Sequence, residues 1–521
     1  MYARFITGMP AFLRHRVTVA DAKATVAQGL ISREKNFLSL LERTVFNRPE
    51  SPYEFLFAHA GCEHEEIRRL VTSDGLDAAL STLYDAGVWL SFDEMKGRAP
   101  ITRGGRTFDG NADSFENPLV KGAIESQSSG STGKATRVKS DLANILRQTS
   151  ILLLAQEANG TLGAPMMLYR PGRPDTVATN NILRQILAGN PVRRWFSPVA
   201  TSDTNAPLRF RIAGAITPPL VRMCGAPFPR MEVVPFSNAI VVARAAADMV
   251  RAEGRCHVRT GVSGGLTVAI AARTNGVDLT GVVLSGAGEP PSIAKVKGIL
   301  ESGARYVTNY AMTEAGSVGT ACANGLDHTD VHVNRNRIAL LQRPVTPRGQ
   351  AEPVGMFFLT SLADTSPRIL INASSDDFGI LEERECGCSL GALGMNQHLR
   401  QIRSAGKLTG RGITLVASDI VHIIEEILPA RFGGTAQDYQ LVEEEDAAGA
   451  THLHLLVSPS ISLADENDAA SVLLEALSRG TPGAGLQSAM LRSARAVGVR
   501  REQPRASLRG KLPAFKTVGV Q

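Results

Sequence analysis

Residues 127–138, QSSGSTGKATRV, concentrate hydroxyl groups, glycines and a lysine in one short stretch. Hydroxyls and free backbone N–H groups donate hydrogen bonds to phosphate oxygens, and glycines allow positive φ and a close approach of the backbone. The P-loop of nucleotide hydrolases needs the pattern G-x-x-x-x-G-K-[ST]. Ser128 stands where its first glycine should be, and Ala135 stands where its Mg²⁺-binding hydroxyl should be. The stretch therefore predicts a phosphate-binding loop that is not a P-loop, with a solvated polar turn as the alternative. Its candidate phosphate-binding residues are Ser128, Ser129, Gly130, Ser131, Thr132, Gly133 and Lys134.

Four side chains that ligate metals form a second candidate site. Cys322 and His328 lie six positions apart, and Cys386 and Cys388 follow about sixty residues later in ECGCSLG. Three thiolates and one imidazole complete the tetrahedral shell of Zn²⁺ and leave no open position, so the metal would have a structural role. The alternative is that these are buried free cysteines and that His328, or the nearby His332, is a surface residue.

Local patterns predict the elements around the candidate phosphate loop. LVKGAIES before it and ATRVKS after it are both typical of short strands, so we expect the loop to join the strands of a hairpin. Asp141 then supplies an N-cap for the apolar helix LANILRQTSILLLAQEA.

The chain divides into three parts. Residues 1–100 show helical spacing, for example in DGLDAALSTLYDAGV, and we expect a helical extension packed on the next domain. Within residues 101–403, strand-like runs such as GVVLSG and GMFFLTSL alternate with helical runs such as NAIVVARAAADMVRAEG, which predicts α/β layers. Residues 404–521 contain both kinds of run in a pattern that suits a small α+β domain.

Composition excludes several classes of protein. The chain has 521 residues, 43% of them hydrophobic and 20% charged, which is typical of a globular protein with two or three domains. Its net charge of +6 is spread along the chain without a run of like charges, so we predict no nucleic-acid partner. We expect the excess positive charge only to attract anionic substrates. The sequence has no run of 18 consecutive apolar residues, so we expect no membrane partner. Six cysteines are too few for a disulfide scaffold in a chain of this length, so we expect a cytoplasmic protein.

Three segments in this order resemble motifs of the adenylate-forming superfamily, which includes acyl-CoA synthetases and peptide-synthetase adenylation domains. SSGSTGKAT is similar to its phosphate loop, GVVLSGAGEPPS (281–292) to its adenine-side segment, and VTNYAMTEAGSVG (307–319) to its Tyr-Gly-x-Thr/Ser-Glu motif. The resemblance extends from about residue 100 to the C-terminus. It implies an α/β fold with a large N-terminal adenylate-forming domain of layered sheets and helices and a small α+β C-terminal domain. The Cys/His pattern is similar to that of the phenylacetate–CoA ligase and acyl-protein synthetase branch.

The resemblance implies roles for individual residues. Tyr310 would lie beside the adenine, Thr313 would contact phosphate, Glu314 would help to hold Mg²⁺, and Asp376 or Asp377 would bind the ribose hydroxyls. Further nucleotide contacts would come from Gly286, Ala287, Gly288, Glu289, Pro290 and Asn309.

The C-terminal third resembles the family less closely. IRSAGKLTGRGIT is similar to the family's hinge, which makes Arg403 the hinge arginine, but Ala405 and Gly406 replace the hinge aspartates. In SLRGKLPAFKTV, Lys511 follows a glycine as the family's catalytic adenylation lysine does, and Lys516 is the second choice.

Together these implications predict a ligase that activates a carboxylic acid in two steps. The carboxylate would attack the α-phosphorus of ATP to give an acyl adenylate and pyrophosphate, and a thiol or amine would then take the acyl group. We expect ATP, Mg²⁺ and structural Zn²⁺ as cofactors, and coenzyme A (CoA), a carrier protein or an amine as acceptor, with a homodimer left open. The changed hinge motivates the alternative, a degenerate member that binds adenylate or an acyl group without turnover.

Overall fold

Seven helices precede the first strand, as the helical spacing of the first hundred residues predicts. They are α1 (Tyr2–Arg14), α2 (Val19–Ile31), α3 (Arg33–Thr44), α4 (Pro52–Ala60), α5 (His64–Asp74), α6 (Leu76–Asp85) and α7 (Phe92–Met95). A capping box between Thr18 and Asp21 starts α2, and Gly75, at φ 81°, separates α5 from α6. The side chains of Phe37, Tyr53 and Leu80 are buried in one cluster with residues of the central sheet.

The structure is a computed structural model of the chain. It describes residues 2–46, 48–122, 124–127, 137–173, 175–204, 207–289, 291–346, 352–404, 407–410, 413–416, 420, 422–446, 450–478, 482–493, 496–505 and 515–518.

Two short hairpins follow the helices. They are formed by β1 (Ile101–Arg103) with β2 (Arg106–Phe108), and by β3 (Ile124–Gln127) with β4 (Arg137–Ser140). The second confirms the hairpin predicted around the candidate phosphate loop. The Asp141 side chain accepts from the Asn144 backbone N–H at 2.9 Å and so begins α8 (Leu142–Ala158), which confirms the predicted cap.

A large mixed sheet forms the centre of the molecule. Its described strands are β5 (Met166–Tyr169), β6 (Arg194–Ser197), β7 (Met231–Val233), β8 (Cys256–Thr260), β9 (Val282–Gly286), β10 (Arg305–Met312), β11 (Gly316–Thr320), β12 (Val331–Val333), β13 (Ile338–Val345), β14 (Val354–Ser361), β15 (Ala373–Glu383) and β16 (Gln397–Ser404). Their order is β13-β14-β15-β16-β12-β11-β10-β9-β8-β5-β6-β7. Strands β5 to β10 pair in parallel, and from β10 onward towards β13 the pairing is antiparallel.

Helices cover the parallel half of this sheet. They are α9 (Val177–Leu187), α10 (Leu208–Met223), α11 (Ile240–Glu253), α12 (Val262–Thr274) and α13 (Ile293–Leu300). Because both faces are covered, β5 and β9 are buried at every position. The carboxyl ends of β5, β8, β9 and β10 therefore meet at one edge of the sheet.

Residues 407–518 form a smaller α+β unit. It contains β17 (Lys407–Gly410), β18 (Ile413–Val416), a π-helical turn (Ile423–Ile427) continued by α14 (Leu428–Phe432), β19 (Tyr439–Glu445), β20 (Thr451–Val457), α15 (Glu466–Ser478), α16 (Pro482–Ser493), β21 (Val497–Arg500) and β22 (Phe515–Val518). Its four-stranded sheet has the order β21-β20-β19-β22. The α/β class, with a large layered sheet and a small α+β C-terminal unit, is as predicted.

None of the helices within the described residues is both long and apolar enough to span a bilayer.

Candidate active site

Most of the predicted nucleotide contacts that fall within the described residues lie where parallel strands end. Gly286 ends β9, and the motif from Asn309 to Glu314 spans the end of β10. In open α/β sheets, ligands bind in the crevice outside the carboxyl ends of the strands. Arg170, directly after β5, donates through Nη2 to the carbonyls of Thr260 and Ala287, both at 2.8 Å. This partly buried arginine thereby joins the ends of three neighbouring strands.

The segment after β9 is fixed by the buried side chain of its own glutamate, Glu289. The Glu289 carboxylate accepts from the backbone N–H of Ser263 at 2.5 Å and from its hydroxyl at 2.8 Å, and it pairs with Lys295 at 3.0 Å. The side chains of Glu289 and Lys295 are almost completely buried. Glu289 therefore positions this segment against the start of α12. The segment then presents the backbone of Ala287 and the exposed Gly288 to solvent.

Tyr310 and Asp377 connect two motifs that are distant in the sequence. The Tyr310 hydroxyl donates to Asp377 Oδ2 at 2.7 Å, across a separation of 67 positions. Burial, and then the Asp377 carboxylate, raise the pKa of Tyr310 well above its usual range, so that the phenol stays protonated and remains a donor. Asp377 is buried, whereas its neighbour Asp376 is partly buried and has φ 62°.

The predicted hinge arginine lies on the strand next to these aspartates. Arg403 pairs with Phe378 and its side chain is exposed, while Ser404 pairs with Asp377. The Ser404 hydroxyl donates to the Asp376 carbonyl at 3.3 Å. The structure thus brings the Asp376–Asp377 pair beside the end of β16, immediately before the predicted hinge.

Glu314 is buried and already paired with a cation. Its carboxylate contacts Lys96 Nζ, from the turn after α7, and Arg368 lies close enough to act on it electrostatically. Burial alone would raise the pKa of Glu314, but the Lys96 and Arg368 charges outweigh it and hold the pKa below its ordinary value. A Mg²⁺ ion on this carboxylate would have to displace Lys96, so the arrangement does not fit the predicted Mg²⁺ role. Thr313, in the same turn, is exposed.

Three cysteines and one histidine converge between β11 and β16. The ligand atoms of Cys322, His332, Cys386 and Cys388 all lie within 4.8 Å of one another. Cys322 and Cys386 sulfurs are 3.9 Å apart, and His332 Nε2 lies 3.5 Å from the Cys386 sulfur and 3.3 Å from that of Cys388. In a tetrahedral site with Zn–S of 2.3 Å, ligand atoms are about 3.5–3.8 Å apart. The set therefore fits a zinc ion.

The histidine of this cluster is not the one that the spacing suggested. His328 is exposed, whereas His332 is buried on β12 with its ring directed at the cysteines. The carbonyl of Met395 lies 2.6 Å from His332 Nδ1, so that Nδ1–H donates there and Nε2 keeps a free lone pair for a metal. The physical reason is burial: only a side chain facing inward from β12 reaches the three sulfurs.

Several predicted residues lie outside the described residues. They are Ser128, Ser129, Gly130, Ser131, Thr132, Gly133, Lys134, Pro290 and Lys511. Their roles stay predictions. Three residues that contribute to these sites were not predicted from the sequence: Lys96, Arg170 and His332. Lys96 and Arg170 stand in polar stretches without a motif, and the choice between two nearby histidines needs the direction of each side chain.

Comparison with known proteins gives structural matches only. No protein-family model and no curated protein matches the chain. The structure of 2-hydroxyisobutyryl-CoA ligase in complex with 2-HIB-AMP and CoA aligns over 96% of this chain and 90% of that one, with a TM-score of 0.54 and 14% identity. An amide bond synthetase from Marinactinospora thermotolerans aligns over 94% and 97%, with a TM-score of 0.41 and 10% identity. The o-succinylbenzoate CoA synthetase from Bacillus subtilis aligns over 78% and 71%, with a TM-score of 0.41 and 11% identity.

The first alignment spans nearly the whole of both chains at a TM-score above 0.5, whereas identities of this size leave activity to be argued from the site. The chain therefore shares the fold of that 2-hydroxyisobutyryl-CoA ligase.

Proposed function

We propose that this protein is an ATP-dependent carboxylate-activating ligase, which forms an acyl adenylate and pyrophosphate and then passes the acyl group to a thiol or an amine. The observation that carries the proposal is the hydrogen bond between Tyr310 and Asp377 at the carboxyl end of β10. It joins the residue that the resemblance assigns to the adenine with one that it assigns to the ribose. Support also comes from the common fold with a ligase whose structure contains an acyl adenylate and CoA.

Positive charge at this edge of the sheet suits a reaction between two anions. Arg170 and Arg259 are both partly buried near the ends of β5 and β8, and desolvation together with the nearby Arg170 lowers the pKa of Arg259 to about 10. Arg259 therefore stays charged at neutral pH. In this proposal the arginines attract the acid and the nucleotide phosphates, and the 128–134 segment and Thr313 bind the phosphates.

In the first step the carboxylate oxygen bonds to the α-phosphorus of ATP as the bond to the pyrophosphate oxygen breaks. Positioning and charge stabilisation contribute most of the rate acceleration in such transfers. Tyr310 and Asp377 would hold the nucleoside, and Lys511 would stabilise the charge that develops on the phosphate oxygens. Glu314 has no role as a Mg²⁺ ligand in this step, since it is paired with Lys96.

We also propose that Cys322, His332, Cys386 and Cys388 hold a structural zinc ion. Four protein ligands leave no position for a substrate, so the zinc ion would have a structural role. It would cross-link the loop after β11 to the loop before β16. A Cys/His zinc site also favours the phenylacetate–CoA ligase branch within the superfamily.

ATP–pyrophosphate exchange tests the first step directly. Zinc-replete protein is assayed with aryl, fatty, hydroxy and amino acids, and Lys511→Ala is compared with Lys516→Ala as the matched control. We expect exchange with one class of acid and a fall of at least about 100-fold in Lys511→Ala, with Lys516→Ala close to wild type. Absence of exchange with every acid, together with measurable ATP binding by calorimetry, would favour the non-catalytic alternative. CoA, a carrier thiol and an amine are then compared as acceptors.

A further inference from the structure

A cavity separates the N-terminal helices from the body of the protein, away from the candidate active site. It has a volume of about 140 Å³ and lies between α2, α3 and α8 and the loops around residues 336 and 363. Gly29 on α2 approaches the 336 loop closely here, since a Cβ at this glycine would lie 2.9 Å from the Asn336 Cβ. The cavity is thus bounded on one side by the extension and on the other by the α/β domain.

Arg337 lines this cavity with unused hydrogen-bond donors. Only 3% of the residue is exposed, and its Nη2 donates to Asn144 Oδ1 at 2.9 Å. Its Nε and Nη1 have no hydrogen-bond partner among the described residues. Leaving buried donors of a charged group unsatisfied is costly, so these donors require an acceptor from outside the chain, either a water molecule or a ligand.

The charge around the cavity is positive. Its charged lining residues are Arg43, Arg147, Arg337 and Asp364, so the formal charge is two positive units. Arg147 lies 3.9 Å from Asp364, and both side chains remain about half exposed. Burial, and then Arg147, lower the pKa of Arg337 to about 10, so it stays protonated at neutral pH. Asn36 and Ser39 on α3 add neutral polar groups.

We propose that this cavity binds a phosphoryl dianion, either inorganic phosphate or the phosphate of a monoester, between α3 and the α/β domain. The Nη1 donor of Arg337, together with the guanidinium groups of Arg43 and Arg147 in the same lining, offers charged N–H donors to different oxygens of one phosphoryl group. Two negative charges balance the two positive units of the lining. The ligand would stabilise the packing of the extension, and the proposal does not depend on the adenylation activity.

The test uses the full-length protein and isothermal titration calorimetry with inorganic phosphate, methyl phosphate and acetate. Arg147→Gln is compared with Arg193→Gln, because Arg193 is equally exposed and forms a similarly long ion pair, 3.7 Å from Glu253, outside the cavity. We expect phosphate to bind about tenfold more weakly to Arg147→Gln and more weakly still to Arg337→Gln, with no change in Arg193→Gln. Stronger binding of methyl phosphate than of phosphate would identify a monoester as the ligand, and the reverse would identify free phosphate.

Three results would overturn the proposal. They are no phosphate binding by the wild type, acetate binding as tightly as phosphate, or phosphate binding that Arg147→Gln leaves unchanged. The last result would place the bound phosphate elsewhere, for example in the candidate active site. Since Arg147 is on the surface, its variant keeps the proposal testable if Arg337→Gln does not fold.

Discussion

Lys96 and Glu314 form a buried ion pair in which each charge needs the other. Their side chains are 9% and 2% exposed. Removing one partner of such a pair leaves an uncompensated buried charge and typically costs 3–5 kcal/mol. Because Arg368 would remain near Glu314, we expect Lys96→Met to lower the free energy of unfolding by about 3 kcal/mol at pH 7.

The same pair predicts a pH dependence. The pKa of Glu314 lies below its ordinary 4.5, so its charged form stabilises the fold above pH 4.5, and this contribution is lost as the pH falls through the folded-state pKa. Without Lys96 the pKa of Glu314 rises, and the cost of Lys96→Met should shrink as the pH approaches 4.5. Urea unfolding at several pH values measures this. The control is Lys139→Met, whose pair with Glu116 is much more exposed than the pair of Lys96 with Glu314, so we expect a cost below about 1 kcal/mol. Equal costs for the two variants would contradict the prediction.

His332 and His328 offer a matched pair for the metal site. His332→Ala removes a ligand from the proposed zinc site, whereas His328→Ala changes an exposed side chain four positions earlier. We expect zinc affinity to fall by at least about tenfold in His332→Ala and to stay unchanged in His328→Ala. Zinc content after dialysis against a graded chelator measures this. Retention of zinc by His332→Ala, or its loss from His328→Ala, would show that the ligand set is incorrect.

At the scale of elements, β10 and β15 bring Tyr310 to Asp377 although three strands, β11, β12 and β16, lie between them in the sheet order. A register shift between Phe378 and Ile380 and the positive φ of Asp376 direct the carboxylate of Asp377 towards β10. Asp377 is therefore better placed than Asp376 for the ribose role in the proposed function.

Substitution of the two aspartates separates their roles. Asp377→Asn removes a charged acceptor, and hydrogen bonds to charged groups are worth about 1.5–3 kcal/mol, so we expect the KM for ATP to rise at least about tenfold. Asp376→Asn should have a smaller effect, since Asn tolerates the left-handed backbone as Asp does. The exchange assay at varied ATP concentration measures both. A larger effect from Asp376→Asn would assign the ribose to that residue.

At the scale of the whole molecule, the C-terminal unit shares a core with the central domain. Leu441, Leu453 and Leu473 are buried in the same cluster as Ala243 and Leu266. One side chain connects the two parts through hydrogen bonds: the Ser493 hydroxyl on α16 accepts from the Phe236 backbone N–H at 3.3 Å and donates to the Pro198 carbonyl at 2.8 Å.

Ser493→Ala should loosen this contact without unfolding either part. Losing these bonds costs about 1 kcal/mol, so we expect amide hydrogen exchange in α16 and around Thr201–Thr204 to become about fivefold faster, with exchange in β13 and β14 unchanged. Ser478→Ala is the control, because among the described residues the Ser478 hydroxyl bonds only the Glu475 carbonyl of its own helix. Equal protection in both variants would mean that apolar packing alone holds the C-terminal unit in place.

Local patterns were enough to predict much of the fold. The hairpin of β3 and β4, the Asp141 cap of α8 and the helical first hundred residues each depend on neighbours within a few positions, where propensity and capping act directly. The resemblance of three motifs similarly predicted the α/β architecture, because those motifs mark turns after particular strands.

Only the tertiary structure decided which remote side chains meet. The pairing of Lys96 with Glu314, the choice of His332 over His328, and the unused donors of Arg337 all depend on the directions of side chains on segments far apart in the chain. Spacing along a sequence carries no information about such directions until the strands pair and the helices pack. Burial then determines the chemistry, because a charge removed from water must find a partner, a metal or a ligand.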